Sequence, residues 1–236
     1  MESKINRYSK QLILINSFFI LAWLVVSVFP FIWTFWGSFK VKADFFSRAD
    51  WMFAVTGVNT LIETGDTSTV KAYVESWTEG EFWKATMNTI IITVSVVTIS
   101  LFLGTLGAYA LSRSTYKYTF WILIAALIFR AMPHITLVSG YLFPFFQLNV
   151  WGILPTTIIV LVAINQPFTL WLLYSFFKTV PKELDESALI DGCSYFQAFR
   201  FVIMPVMWPG VVTAGLFSMM LAYNDFTVTS LLLNQQ

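Results

Sequence analysis

The side chains in this sequence that could do covalent chemistry are few. It holds one His, His134, and one Cys, Cys193. Zinc usually takes three or four His or Cys ligands, so a His/Cys-rich metal site is excluded. A single Cys leaves no internal disulfide. The polar groups that stand out do so by position. Arg130 and His134 fall within a long apolar stretch, Asn165 and Gln166 precede Pro167, and Asn224 and Asp225 close another apolar run. Groups of this kind line paths and bind solutes; they are not a set that breaks bonds. A second concentration of charge lies between Lys178 and Arg200, with Glu183, Asp185, Glu186 and Asp191 ahead of Gly192.

The elements that must carry these groups follow from composition. Of 236 residues, 57% are hydrophobic and only 11% charged, against about 25% charged in an average soluble domain. That excludes a secreted or cytosolic enzyme and points to an all-α integral membrane protein. The formal net charge of +1 gives no bulk basicity for nucleic acid. Residues 11–39, 85–112, 131–177 and 201–224 hold no Asp, Glu, Lys or Arg. A spanning helix needs roughly 20 apolar residues, and the polar break at Gln147, Asn149 and Gly152, followed by Pro155, divides the longest gap. The spacing predicts spans at 12–36, 86–110, 119–145, 153–177 and 202–223. The first run is too long for a signal peptide and no A-x-A site follows it.

Basic residues set the orientation. Lys4, Arg7 and Lys10 lie in the tail 1–11, Arg113 and Lys117 follow the second span, and Lys178, Lys182 and Arg200 follow the fourth. A cytoplasmic N-terminus places all three groups inside. Segment 37–85 is then external, polar, with one short helix near 69–79. Residues 224–236 form an external, still apolar end, which suggests that a sixth helix is missing. Pro133, Gly140 and Pro144 are expected to break up span 3, and Asn165-Gln166-Pro167 to do the same to span 4. Discontinuous helices expose backbone groups that are tolerated where they line a cavity. Arg at a span centre costs roughly 2.5–3.5 kcal/mol on insertion scales. Arg130 therefore faces a cavity, or it pairs with a carboxylate. No carboxylate of this chain lies at matching depth in the predicted spans, so the partner would come from another subunit. Most of Trp23, Trp33, Trp36, Trp83, Trp121, Trp151 and Trp208 fall near span ends, as aromatic belts do.

Residues 178–200 do not read as a simple loop. Pro181 suits the first position of a helix, and Glu183, Asp185 and Glu186 complement the helix dipole. Leu184, Ala188 and Leu189 share a face. Gly192 can end the helix in the left-handed conformation, and Ser194 with Gln197 fits a capping box for a second helix. An amphipathic connector on the membrane surface and a dock for a cytoplasmic partner both fit this pattern. The stretch Glu186-Ser187-Ala188, then Gly192, then Val202-Ile203-Met204-Pro205, resembles the EAA loop of ABC-importer permease subunits: E-A-A, three residues, G, nine residues, I-x-L-P. The run ELDESALIDG, with Asp191 before the glycine, is similar to the carbohydrate, maltose-permease (MalG-like) branch. Further resemblances are Asn88-Thr89 (Asn-Ser in that group), Ala108-Tyr109-Ala110-Leu111-Ser112-Arg113 (A-Y-A-x-x-R), Met132-Pro133 (M-L-P), and Tyr223-Asn224-Asp225-Phe226 (W-N-E-F).

The resemblance implies a bundle of the type I importer (MetI-like) kind in the cytoplasmic membrane of a prokaryote. It implies a second permease subunit, two ATPase subunits carrying ATP and Mg, an extracytoplasmic solute-binding protein, and a sugar or oligosaccharide substrate. Glu186, Ser187, Ala188, Asp191, Gly192 and Pro205 would couple to the ATPase. Leu184, Ala188 and Leu189 would offer it an apolar contact and Glu186 a charged one. Arg130, His134, Asn165, Gln166, Asn224 and Asp225 are the candidate substrate path. The sequence has no G-x-x-x-x-G-K-[ST], so the expectation is a transport subunit with no cofactor of its own. Another solute (polyamine, phosphate or glycerol phosphate) fits the same machine. An ATPase-independent secondary transporter or channel would leave the EAA spacing without a purpose. A membrane enzyme would have little to catalyse with.

Overall fold

The structure is a computed structural model that describes residues 2–38 and 68–233. Most of the expected external segment, 39–67, lies outside the described residues. The chain divides into two compact units, Met1–Trp83 and Lys84–Gln236.

In the first unit, α1 (Glu2–Gly37) is a single helix that carries the predicted first span through Pro30. Its apolar side chains, from Leu12 to Phe35, are exposed on every side, a pattern suited to lipid and costly in water. The short helix expected near 69–79 is α2 (Ser68–Thr78).

α3 (Phe82–Arg113) begins where the first unit ends and runs deep into the second. Its buried residues Ile92, Val96, Ser100, Gly104, Ala108 and Ser112 recur every fourth position. That repeat makes one narrow stripe of mostly small side chains, the feature that lets apolar helices approach closely in lipid. At Gly104 a Cβ would stand 3.1 Å from the side chains of both Leu173 and Thr169.

α4 (Thr119–Ala131) and α5 (His134–Gln147) share the third predicted span. They are bent by 95° at the break between them. Pro133 forces this: the residue before a proline is pushed out of the helical region, and Met132 is extended at φ −70°, ψ 142°. The expectation that Gly140 and Pro144 also break this span is corrected, since both lie inside α5. Asn149 and Gly152, at φ 58° and 80°, turn the chain into α6 (Leu154–Thr179), with Pro155 in its first turn. α6 runs uninterrupted through Asn165, Gln166 and Pro167, which corrects the expected break there. Pro167 lacks only its own N–H, and the flanking helical bonds hold.

Pro181 does not open the next helix as predicted. It ends α6, because Val180 before it is extended at φ −81°, ψ 120°. The next helix, α7 (Glu183–Ile190), starts from Lys182. α8 (Tyr195–Gln197) widens into a π-helical turn, Ala198–Ile203, before α9 (Met204–Tyr223). Pro205 in the first turn of α9 cannot donate to the carbonyl four residues back, and the N–H of Met204 bonds instead to Phe199 O, five back. After Asn224 and Asp225 comes α10 (Phe226–Leu233). Its Val228 and Leu232 are buried in the core.

The described residues contain only helices and turns. Four helices are long and apolar enough to cross a membrane, and the bent pair α4–α5 makes a fifth if taken as one span. The second unit has two apolar clusters. One gathers Ile92, Val138, Leu161, Ile164, Val228 and Leu232. The other gathers Ala108, Leu173, Phe177, Ile203, Met207 and Val211. Each candidate site sits beside one of them.

Candidate functional site

The EAA-like segment is built as the sequence predicts at its turn. Gly192 stands at φ +88°, a conformation that side-chain-bearing residues rarely adopt. Its N–H donates to Leu189 O at 3.1 Å, and Cys193 N–H to Ala188 O at 3.0 Å. Those two bonds complete a Schellman motif and satisfy the last carbonyls of α7. Ser194 Oγ then accepts from Gln197 N–H while Gln197 Oε1 accepts from Ser194 N–H, a complete capping box. Two helices are thus locked on either side of one glycine.

What holds α7 against the bundle was not foreseen. Asp185 Oδ1 accepts from the Tyr109 hydroxyl at 2.5 Å, and its Oδ2 lies 2.8 Å from Arg113 Nε. The second contact is one of ion pairing, without aligned hydrogen-bond geometry. Arg113 Nη1 also donates to Val180 O at 3.0 Å and Phe177 O at 3.3 Å. One guanidinium therefore joins the end of α3, the end of α6 and the start of α7. The ring of Tyr109 packs 4.8 Å from that of Phe199 and 5.7 Å from that of Phe177. The spacing of Tyr109 and Arg113 gave a family resemblance but no hint of Asp185 as their partner.

This clamp decides which face of α7 is free. Ala188 is buried, Leu184 packs against the core cluster, and Leu189 is half-buried. The expectation of an apolar contact for a partner is corrected for Ala188 and Leu184, which face their own bundle. The exposed side carries Glu183, Glu186, Ser187, Ile190 and Asp191, with Ile190 at 86% exposure. Gly192 and Pro205 are exposed as well.

The second constellation joins residues from two broken helices. Arg130 Nη1 lies 2.5 Å from His134 Nε2 across the Pro133 bend. His134 Nδ1 lies 3.6 Å from Asp225 Oδ2. Guanidinium groups only donate, so Nε2 must accept, which places the ring proton on Nδ1, facing the carboxylate. The sequence expectation that Arg130 has no carboxylate at its depth within the chain is corrected: Asp225 reaches it through the imidazole. Asp225 also caps α10, since its Oδ1 accepts from Val228 N–H at 2.8 Å. Asn224 donates from its amide to Met220 O at 2.8 Å.

Two cavities flank this seam. A small one of about 50 Å³ is lined by Arg130, His134, Ile164 and Pro167 among others. A larger one of about 290 Å³ lies beside the Asn224–Asp225 break, where Thr89 and Thr93 of α3 face Thr229 of α10. Asn165 and Gln166 line neither cavity. Asn165 is buried on the packed stripe of α6, and Gln166 Nε2 comes within 3.4 Å of where a Gly104 Cβ would lie. The structure thus brings Arg130, His134, Asn224 and Asp225 together and leaves Gln166 beside Gly104 of α3 and Asn165 buried on α6. Thr93 was missed because a hydroxyl inside an apolar run gives no sequence signal. No group of three or more His, Cys, Asp or Glu able to hold a metal exists among the described residues.

Residues 100–236 match a family described as binding-protein-dependent transport system inner membrane component. The diacetylchitobiose uptake system permease protein NgcG of Streptomyces coelicolor is 29% identical over 88% of this chain and 65% of its own. The trehalose/maltose transport system permease protein MalG of Thermococcus litoralis is 31% identical over 92% of this chain and 73% of its own. The chain therefore spans about two thirds to three quarters of the length of these relatives. In fold it is similar to a chain in the crystal structure of a bacterial ABC transporter involved in the import of the acidic polysaccharide alginate. The TM-score is 0.73 at 22% identity, over 93% of this chain and 73% of that one.

Proposed function

The chain belongs to the family of binding-protein-dependent transport system inner membrane components, and from that premise we propose that it forms half of the translocation path of an ATP-driven importer for a sugar or oligosaccharide. It is a multi-pass membrane subunit whose partners are a second permease, two ATPase subunits and an extracytoplasmic solute-binding protein. ATP and Mg belong to the ATPase. A cytoplasmic N-terminus is supported by the basic tail and loops.

The observation that carries this reading is the construction of α7. A short helix with an outward face of Glu186, Ser187 and Ile190 is fixed to two long apolar helices by Asp185 and Arg113. A helix that presents one face and is anchored by the other can pass a push from a soluble motor into the bundle. The sugar assignment rests on the relatives, uptake systems for diacetylchitobiose and for trehalose/maltose.

Affinity purification of the intact complex from mild detergent tests the reading. It should recover a P-loop ATPase and a second permease, and Glu186→Lys should lose the ATPase while keeping the permease. Recovery of this chain alone as a stable homo-oligomer would overturn the reading in favour of an ATPase-independent transporter or channel.

A further inference from the structure

We propose that the cavity beside the Asn224–Asp225 break is a subsite for one uncharged, hydroxyl-rich ring, and that it discriminates against acidic sugars. The inference rests on the sugar-importer reading above and adds a site and a charge selectivity to it. At about 290 Å³ the cavity is at the small end of ligand pockets, which run from about 300 to 1,000 Å³. That is room for a single ring and not for a chain of them.

The lining has the donors and acceptors such a ring needs. Asp225 uses one carboxylate oxygen on Val228 N–H and turns the other to His134. A carboxylate has about four lone-pair positions, which leaves acceptor capacity for a vicinal pair of hydroxyls. Thr89 adds a hydroxyl, and the rings of Tyr223 and Phe226, both strongly exposed, offer apolar faces on which a ring can stack.

Charge sets the selectivity. No Lys, Arg or His lines this cavity. Arg130 and His134 line the neighbouring cavity of about 50 Å³, which holds one or two waters but no ring. Arg130 and His134 thus stand behind Asp225 without touching the ring site, and the carboxylate alone borders it. An acidic sugar entering here meets a like charge with no cation on its own side.

The test uses the intact importer in lipid nanodiscs, with Cys193→Ser and Thr229→Cys providing one thiol in the cavity. Trehalose and diacetylchitobiose should slow labelling of that thiol by a small maleimide at least threefold, and digalacturonate at equal concentration should leave it unchanged. Thr89→Val should weaken the neutral-sugar protection about 5–10-fold, and Thr89→Ser should restore it, which separates a lost hydroxyl from misfolding. Equal protection by digalacturonate would overturn the selectivity. Absence of protection by neutral sugars that the same importer takes up with ATP would overturn the subsite alone. Failure of the wild-type importer to take up any of the three sugars with ATP would overturn the sugar reading and the subsite with it.

Discussion

Charge ties helices together at two places in the second unit, and the two ties are built differently. At the α7 end, Asp185 engages Tyr109 at 2.5 Å and Arg113 at 2.8 Å, and both charged side chains are about 15% exposed. At the helix breaks, Arg130 reaches Asp225 only through His134, with 3.6 Å between imidazole and carboxylate, His134 30% exposed and Asp225 10%. The first tie is direct and multiply bonded. The second is relayed, exposed at its imidazole, and has a cavity on each flank. A direct buried network fixes distance and so suits an element that must carry force without slack. A relayed contact beyond hydrogen-bond length holds two broken helices together weakly enough to part. The same chemistry, acid against base, serves as a rigid joint in one place and a separable seam in the other.

The largest effect should come from breaking the rigid joint. Removing one member of a buried ion pair leaves the other charge uncompensated, at about 3–5 kcal/mol. Asp185→Ala should fall near about 3 kcal/mol on that scale, since Arg113 keeps the carbonyls of Phe177 and Val180. Thermal unfolding of the purified complex would show it as a clear drop in midpoint. ATPase should still co-purify, because Glu186 on the outer face is untouched. An unchanged midpoint would mean that the joint is ornamental.

A second, smaller perturbation leaves both charges in place and deforms the turn. Gly192 at φ +88° has open space where a Cβ would go, so the penalty for a side chain is purely conformational, about 1–2 kcal/mol. Gly192→Val should leave the complex assembled but lower sugar uptake per ATP hydrolysed. Gly192→Asn, which tolerates the left-handed region, should recover most of it. Equal coupling in all three proteins would remove the turn from the transmission path.

The difference between the two ties also explains which parts of the molecule were legible in the sequence. The Schellman turn and the capping box were readable because their signals lie within a few residues: Gly192 after an amphipathic stretch, Ser194 three before Gln197. The apolar helices were readable from the gaps between charges. Prolines were readable only in part. Pro133 breaks its helix and Pro181 ends one, yet Pro144 and Pro167 sit inside continuous helices, because a proline removes one bond and neighbouring packing decides whether the helix survives. The partners of Arg113 and Arg130 could not be read at all. Asp185 and Asp225 are remote in sequence, and pairing across helices depends on rotation and bend angle, which composition does not carry. The inward turn of Leu184 and Ala188 follows from the same clamp and was missed with it.

The finest test compares the ties in one currency. Double-mutant cycles isolate the pairwise term between two side chains. Arg113→Met with Asp185→Leu should show a coupling of more than about 2 kcal/mol, since each single change strands a buried charge and the double change strands none. Arg130→Met with Asp225→Asn should show under about 1 kcal/mol, the range of weak ion pairs, because His134 stands between them and Asp225 keeps its bond from Val228 N–H without Arg130. Equilibrium unfolding of the four proteins of each cycle, in the same detergent, gives both numbers. Equal couplings would show that His134 transmits the charge contact at full strength, and the break between α4 and α5 would then be pinned to Asp225 as firmly as α7 is to Arg113. A low value in the second cycle alone would leave the seam free to open when the joint is driven.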